Sequence, residues 1–305
     1  MDTARGAAVR LDWGIRYLMC PPRHFRVSYS INPWMDRRVA VDRDRALGQW
    51  AALVDALTAA GATVETLPPQ PDLPDMVFAA NAGLVGGRTF VPARMKHRQR
   101  RGEAAHAAAW FAGRGFDVTS LPPRVVQEGA GDALPFGRVL VAGYRTRSSA
   151  SAYPALTART GWPVRAVALS DPRYYHLDLT FCPLDQRRAM VVPSALDADG
   201  VATLRELVPE PLVLDEAEAA TFCANSVVVG RTIVMPACPP RIGRQLERWG
   251  FDVAVVDVGE FLKAGGACRC LTLALDVQVP AARREAEARP APPVHPSPGP
   301  ALGAA

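Results

Sequence analysis

Leu246-Glu-Arg-Trp-Gly250-Phe-Asp-Val253 is the stretch whose reading decides the fold. An amphipathic helix runs into a glycine, and three residues later a valine opens a strand. Glycine is expected just past a helix end, because it takes the left-handed conformation that closes the last turn. The same ending recurs at Leu57-Thr-Ala-Ala-Gly61-Ala-Thr-Val64, Trp110-Phe-Ala-Gly-Arg-Gly115-Phe-Asp-Val118 and Leu156-Thr-Ala-Arg-Thr-Gly161-Trp-Pro-Val164. The glycines are spaced 54, 46 and 89 residues apart. The last interval is about two periods and holds a degenerate copy, Leu204-Arg-Glu-Leu-Val-Pro-Glu-Pro-Leu-Val213, in which proline stops the helix.

The chain therefore reads as five units of roughly 50 residues. Apolar segments at 76–85, 138–143, 189–192, 226–235 and 270–275 are the strands expected between the helices. No unit of this size can bury its own apolar face, so the five pack around a common axis. A doubly wound sheet would also alternate strands with helices. The fivefold count favours the pseudosymmetric α/β arrangement, in one domain.

Composition narrows the function classes. With 305 residues, 49% hydrophobic and 21% charged, the chain can bury a sizeable core. Its net charge is +5, but the arginines are scattered. Only Arg94-Met-Lys-His-Arg-Gln-Arg-Arg101 forms a cluster, and no aromatics interleave it for base stacking. No nucleic-acid partner is expected, whereas a small anionic group needs one or two such arginines.

Six cysteines, at 20, 182, 223, 238, 268 and 270, form neither a C-x-x-C pair nor metal-ligand spacing with histidine. The expectation is a reduced cytoplasmic protein without a metal site. The N-terminus lacks an apolar signal core, and no apolar run approaches about 18 residues, so no membrane partner is expected. Residues 1–14 read as an extension, 15–279 as the single catalytic domain and 280–305 as a disordered Ala/Pro-rich tail. A homo-oligomer stays open.

The chemistry centres on Lys263-Ala-Gly-Gly-Ala-Cys268-Arg-Cys270-Leu-Thr, a glycine turn feeding an apolar strand that carries two thiols. Buried cysteines usually serve as small hydrophobes. A catalytic reading needs a histidine, carboxylates and a substrate clamp elsewhere. His176 is the one histidine embedded in an apolar stretch, and Asp178, two residues on, shares its face if the segment is a strand. Asp75 and Asn81 mark the start and end of the 76–85 strand. Glu128 and Asp132 flank a glycine-rich turn, and Asn32 sits in the polar turn Ile31-Asn-Pro-Trp-Met35.

A free thiol has a pKa of about 8.5 and needs a cationic neighbour to become a nucleophile. A cationic substrate can supply that neighbour. Carboxylates such as Asp75 and Glu128 clamp a planar cation through paired charge-assisted bonds. Thiol, histidine and carboxylates around a planar cation point to attack on a guanidinium carbon.

These stretches together resemble the guanidino-group modifying enzymes of the pentein superfamily, above all dimethylarginine dimethylaminohydrolases and related arginine hydrolases. The resemblance runs in order over roughly residues 15–277, through Met19-Cys-Pro-Pro to Met35, Pro74-Asp-Met-Val-Phe-Ala-Ala-Asn81, Glu128-Gly-Ala-Gly-Asp132, His176-Leu-Asp178 and Gly265-Gly-Ala-Cys-Arg-Cys270-Leu-Thr. It implies a five-bladed α/β propeller of ββαβ units and a single-cysteine mechanism without metal or organic cofactor. Cys270 is then the nucleophile, with Cys268 a bystander, His176 the general acid and base, and Glu128 its supporting acid. Asp75, Asn81, Asn32 and Asp178 are expected around the substrate, and Arg100 and Arg147 on its α-carboxylate. The implied reaction is hydrolysis of dimethylarginine to citrulline and dimethylamine. Asn81 stands where many family members carry a second acid, and with Asn32 it resembles the enzymes that strip arginine to ornithine. Alternatives are an arginine deiminase, an amidinotransferase or a non-catalytic binding protein of the same fold.

Overall fold

A computed structural model describes residues 10–279. In chain order the blades begin with β1 (Arg16–Met19), α1 (Arg43–Ala59) and β2 (Thr63–Thr66). The second is β3 (Gly83–Gly86), β4 (Thr89–Pro92), α2 (Glu103–Ala112) and β5 (Asp117–Val118). The third is β6 (Ala133–Phe136), β7 (Val139–Tyr144), α3 (Ala152–Thr160) and β8 (Val164–Ala168). The fourth is β9 (Phe181–Pro183), β10 (Arg188–Val191), α4 (Ala198–Leu207) and β11 (Glu210–Val213), followed by the short α5 (Glu216–Ala219). The fifth is β12 (Val227–Val229), β13 (Thr232–Met235), α6 (Pro240–Arg248) and β14 (Asp252–Val255). A short α7 (Gly259–Leu262) and β15 (Leu273–Ala274) finish the described chain.

Each blade is one three-stranded sheet whose middle strand pairs antiparallel with the strand before it and parallel with the strand after the helix. The first blade borrows its opening strand from the other end of the chain: β15 pairs antiparallel with β1, Tyr17 opposite Ala274. The five ββαβ units read from the sequence are therefore the five blades of an α/β propeller. All four helix-stop glycines adopt the left-handed region, with φ of +101° at Gly61, +74° at Gly115, +75° at Gly161 and +81° at Gly250. Helix α4 ends at Leu207, two residues before Pro209, as a proline stop requires.

Several strand expectations were too long. Residues 76–85 hold two 3₁₀ turns, Pro74–Val77 and Ala79–Ala82, before β3. Residues 226–235 are a hairpin, β12 and β13, turned at Gly230 with φ +59°. Of 270–275 only Leu273–Ala274 is strand, so Cys268 and Cys270 lie on a turn and not on one strand face. His176 and Asp178 likewise do not share a strand face, because Leu177–Leu179 is a 3₁₀ turn. The physical reason is common to all: near the axis the chain must bend to deliver side chains inward, and apolar residues there fill the core without pairing.

That bend positions the site. Five turns lie just before the first strand of the five sheets: 79–82 before β3, 129–131 before β6, 177–179 before β9, 222–226 before β12 and 267–272 before β15. The core around them is aromatic and aliphatic, with Tyr17, Phe25, Phe90, Phe111, Phe181 and Phe261 among the largest fully buried side chains. Among the described residues no helix is long and apolar enough to cross a membrane. The tail 280–305 and residues 1–9 of the expected extension lie outside the described residues.

Candidate active site

The turn that carries Cys270 is folded by its glycines. Gly265 has φ +83°, and a Cβ on Gly266 would meet the Phe78 ring at 2.4 Å, so both positions need the missing side chain. Cys270 is 3% exposed, and its main-chain oxygen accepts from Ala80 N at 3.1 Å, which ties this turn to the one bearing Asn81.

Around the sulfur stand two polar residues. The Cys270 thiol donates to Asp178 Oδ2 at 3.3 Å and accepts from Asn225 Nδ2 at 3.2 Å. Asn225 is wholly buried. It also donates to the Asp178 carbonyl at 3.0 Å, while its Oδ1 accepts from the backbone N–H of Ala267 and of Cys270, each at 3.1 Å. One amide thus holds the Cys270 turn and the neighbouring acid together.

The second half of the site is centred on Glu128, 1% exposed. Its Oε2 meets His176 Nε2 at 2.8 Å and accepts from Arg147 Nη1 at 2.9 Å, and its Oε1 accepts from Lys96 N at 2.9 Å. The resemblance made Glu128 the acid that supports His176, and the two side chains are in contact here. Asp178, two residues after the histidine, is carried by the 3₁₀ turn toward the thiol instead. Asp132 supports from behind: its carboxylate accepts from Leu177 N at 3.1 Å and from Ser148 Oγ at 2.6 Å.

Asn81 links Glu128 to a buried cationic group. Its Nδ2 donates to the Glu128 carbonyl at 2.9 Å and its Oδ1 accepts from Arg100 Nη1 at 2.9 Å. Arg100 also bonds Glu103 through two nitrogens, at 2.9 and 2.8 Å, and the Asp75 carbonyl at 3.1 Å. Of its five N–H groups one is left over. Arg147 has three left, since only Glu128 and the Ile31 carbonyl engage it, and its guanidinium rests 4.7 Å from the Tyr175 ring centre. Asn32 ties its loop to the glycine turn, donating to the Ala264 carbonyl at 3.0 Å and accepting from Trp34 N at 2.9 Å. All nine expected residues therefore gather in one buried region.

The electrostatics follow from that burial. Burial and the Asp178 charge push the Cys270 thiol well above its ordinary pKa. Burial also raises Asp75, and it pushes Asp178 up to about 7 and Asp132 up to about 6. Glu128 goes the other way. Burial opposes its charge, but the His176 hydrogen bond and the charges of Arg147, His176 and Arg100 outweigh that and hold it well below the carboxylate range. Both oxygens of Asp75 and Oδ1 of Asp178 are buried without a hydrogen bond among the described residues, and the nearest cation to Asp75 is Arg100 Nε, 3.9 Å from Oδ2. The region is built for a cation with N–H donors.

A pH dependence follows. The folded chain holds protons on Asp178 and Asp132 that the unfolded chain has released above about pH 4. Stability of the ligand-free protein therefore falls as pH rises from about 4 to about 7, the window those two raised values define. Thermal melts across that window are expected to show a declining Tm, with a shallower slope in Asp178→Asn. A Tm that rises through the window would contradict the buried, unpaired state of these acids.

Asn225 and Asp132 were missed as site residues by the sequence reading. A signal existed for the first: Phe222-Cys-Ala-Asn225-Ser repeats Phe78-Ala-Ala-Asn81-Ala three blades later. Both asparagine N–H groups close the same turn, onto Phe78 O at 3.0 Å and Phe222 O at 2.8 Å.

Comparison with known proteins places this chain among relatives of known activity. The family described as N,N dimethylarginine dimethylhydrolase, eukaryotic, matches residues 30–277. The bifunctional arginine dihydrolase/ornithine cyclodeaminase AgrE of Nostoc sp. is 41% identical over 264 residues, which are 85% of this chain and 37% of that protein. This chain thus spans a little over a third of that bifunctional relative. The N(G),N(G)-dimethylarginine dimethylaminohydrolase of Mycobacterium tuberculosis is 37% identical over 85% of both chains. Among solved structures, the N-terminal domain of ArgZ, a cyanobacterial arginine dihydrolase, as a cysteine-to-serine mutant bound to substrate, superposes with a TM-score of 0.83 at 39% identity. That match covers 87% of this chain and 99% of the ArgZ domain. With a match spanning most of the propeller, the chain belongs to the dimethylarginine dimethylaminohydrolase family.

Proposed function

We propose that this protein hydrolyses the guanidinium group of a free arginine-type amino acid through Cys270. The observation that carries the reading is the set of three buried carboxylate oxygens that accept no hydrogen bond among the described residues, two on Asp75, which Arg100 Nε approaches only to 3.9 Å, and one on Asp178, with the other Asp178 oxygen on the thiol. A planar guanidinium satisfies them and supplies the positive charge that a neutral buried thiol lacks.

Cys270 Sγ attacks the guanidinium carbon as its proton passes to Asp178 Oδ2, its hydrogen-bond acceptor at 3.3 Å, which returns it when the sulfur is released. His176 protonates the departing nitrogen, the C–N bond breaks, and a covalent thiouronium remains. His176 then takes a proton from water, which attacks the same carbon, and the C–S bond breaks to return the sulfur. Glu128 orients His176 and stabilises its cation. Arg147, with three free N–H groups, is the main grip for the α-carboxylate, and Arg100, with one, the lesser. Asn32 shapes the loop that covers the substrate. The six unbridged thiols support a cytoplasmic workplace.

Two substrates fit this chemistry. Dimethylarginine gives citrulline and dimethylamine, the reaction supported by the family match and the mycobacterial relative. Arginine, passing through two rounds of hydrolysis, gives ornithine, ammonia and carbon dioxide. Asn81 favours arginine, because its amide is neutral and fixed by Arg100 and Glu128 where an acid would add a second charge. The likeness to ArgZ and AgrE points the same way. Separate incubation with asymmetric dimethylarginine and with arginine, products identified by mass spectrometry, decides between them. Dimethylamine with citrulline assigns the first reaction and ornithine with ammonia the second. Turnover of neither, in protein that melts cooperatively, would overturn the hydrolase reading.

A further inference from the structure

The basic cluster at 94–101 is only partly absorbed by the site. Arg100 turns inward, but Arg94 and Arg101 face a cavity of about 520 Å³, which Arg124 closes from the other side. The rest of its wall is apolar, with Ala93, Met95 and Val125, and no carboxylate lines it. A second cavity of similar size differs in this respect: there Arg16 and Arg114 share the Glu65 carboxylate, at 2.8 and 3.1 Å. In the first cavity the cations meet only main-chain carbonyls. Arg94 donates to Val125 O at 3.1 Å and to Pro123 O, and Arg101 to Met95 O at 3.3 Å and Lys96 O at 3.1 Å.

Those bonds fix two guanidinium planes without neutralising them, and among the described residues Nη1 of each makes no hydrogen bond. Pre-organised, uncompensated guanidinium groups recognise oxyanions by paired hydrogen bonds. The wall of the cavity is also the backbone that holds Glu128. Arg94 and Gln127 exchange main-chain bonds at 2.7 and 3.2 Å, and Lys96 N donates to Glu128 Oε1 at 2.9 Å.

We propose that this cavity is a second site, which binds a multiply charged oxyanion, a phosphate or a polycarboxylate, and that its occupancy is felt at Glu128 through residues 94–96. Binding here is independent of which guanidino substrate the protein uses.

The test is calorimetry of the whole protein with pyrophosphate and with citrate at about 0.15 M salt, where non-specific surface attraction is screened. Arg124→Gln and Arg101→Gln serve as variants, since neither residue touches the catalytic groups. One equivalent is expected to bind saturably, with about tenfold or greater loss in each variant. The tighter of the two ligands names the class. In wild type the ligand is expected to shift kcat or KM for the guanidino substrate, and in the double variant it leaves both unchanged. Binding that is equally strong in the double variant, or effects matched by sodium chloride of equal ionic strength, would overturn the site. Binding with kinetic constants unaltered would overturn the coupling to Glu128.

Discussion

Cys270→Ser is expected to lose at least about 10⁴-fold in turnover while still binding substrate, since the mutation removes only the nucleophile. The sulfur sits in a frame that survives the change. Asn225 bonds its N–H and side chain, and Asp178 takes the side-chain proton. A serine hydroxyl can keep both contacts, so loss of activity cannot be ascribed to a collapsed turn. Calorimetric titration with the substrate checks binding, and product formation checks turnover. Retention of more than a few per cent of activity would remove Cys270 from the mechanism. Because burial and the Asp178 charge keep the thiol protonated, alkylation of the ligand-free protein by iodoacetamide should be slow at pH 7 and climb beyond pH 9. Fast alkylation at pH 6 would contradict the neutral thiol.

Glu128→Gln should strike both stability and chemistry. Among the described residues Glu128 is the only carboxylate within hydrogen-bond distance of Arg147, whose side chain is 3% exposed. Its removal leaves a buried guanidinium without a counter-charge, a change that costs about 3–5 kcal/mol. For a domain of this size that lowers Tm by roughly 10 °C. His176 also loses the partner that orients it, so turnover should drop by about 10²–10⁴-fold even where the variant remains folded. Melting and steady-state kinetics at 20 °C separate the two effects. A variant with wild-type Tm and wild-type rate would mean that the Glu128–His176–Arg147 cluster holds neither the fold nor the reaction.

The architecture was legible because its signal is repetitive and local. Gly61, Gly115, Gly161 and Gly250 each stop a helix for a backbone reason that no tertiary context alters, and each takes the left-handed conformation. Strand lengths were less legible, since apolar residues such as Met76, Val77 and Leu271 are buried in turns that no periodicity distinguishes from strand. The site divides along the same line. Its acids, histidine and thiol stand out as polar residues in apolar stretches, but which acid meets which partner depends on the 3₁₀ turn at 177–179. That geometry takes Asp178 to the thiol and leaves Glu128 on the histidine. Asn225 carries no charge and lies in a blade without an expected catalytic residue. Only comparison of the blades with one another exposes it.

The closure of the first blade by β15 bears on when the protein becomes competent. Cys270 lies three residues before that closing strand, whose partner strand β1 is at the other end of the described chain, Leu18 opposite Leu273. During synthesis the first four helices emerge before either the thiol or the strand that completes the ring has left the ribosome. Long-range pairing of this kind comes late in folding. An incomplete nascent chain can therefore assemble most of the propeller before the Cys270 turn exists, and closure of the first blade and arrival of that thiol become a single event.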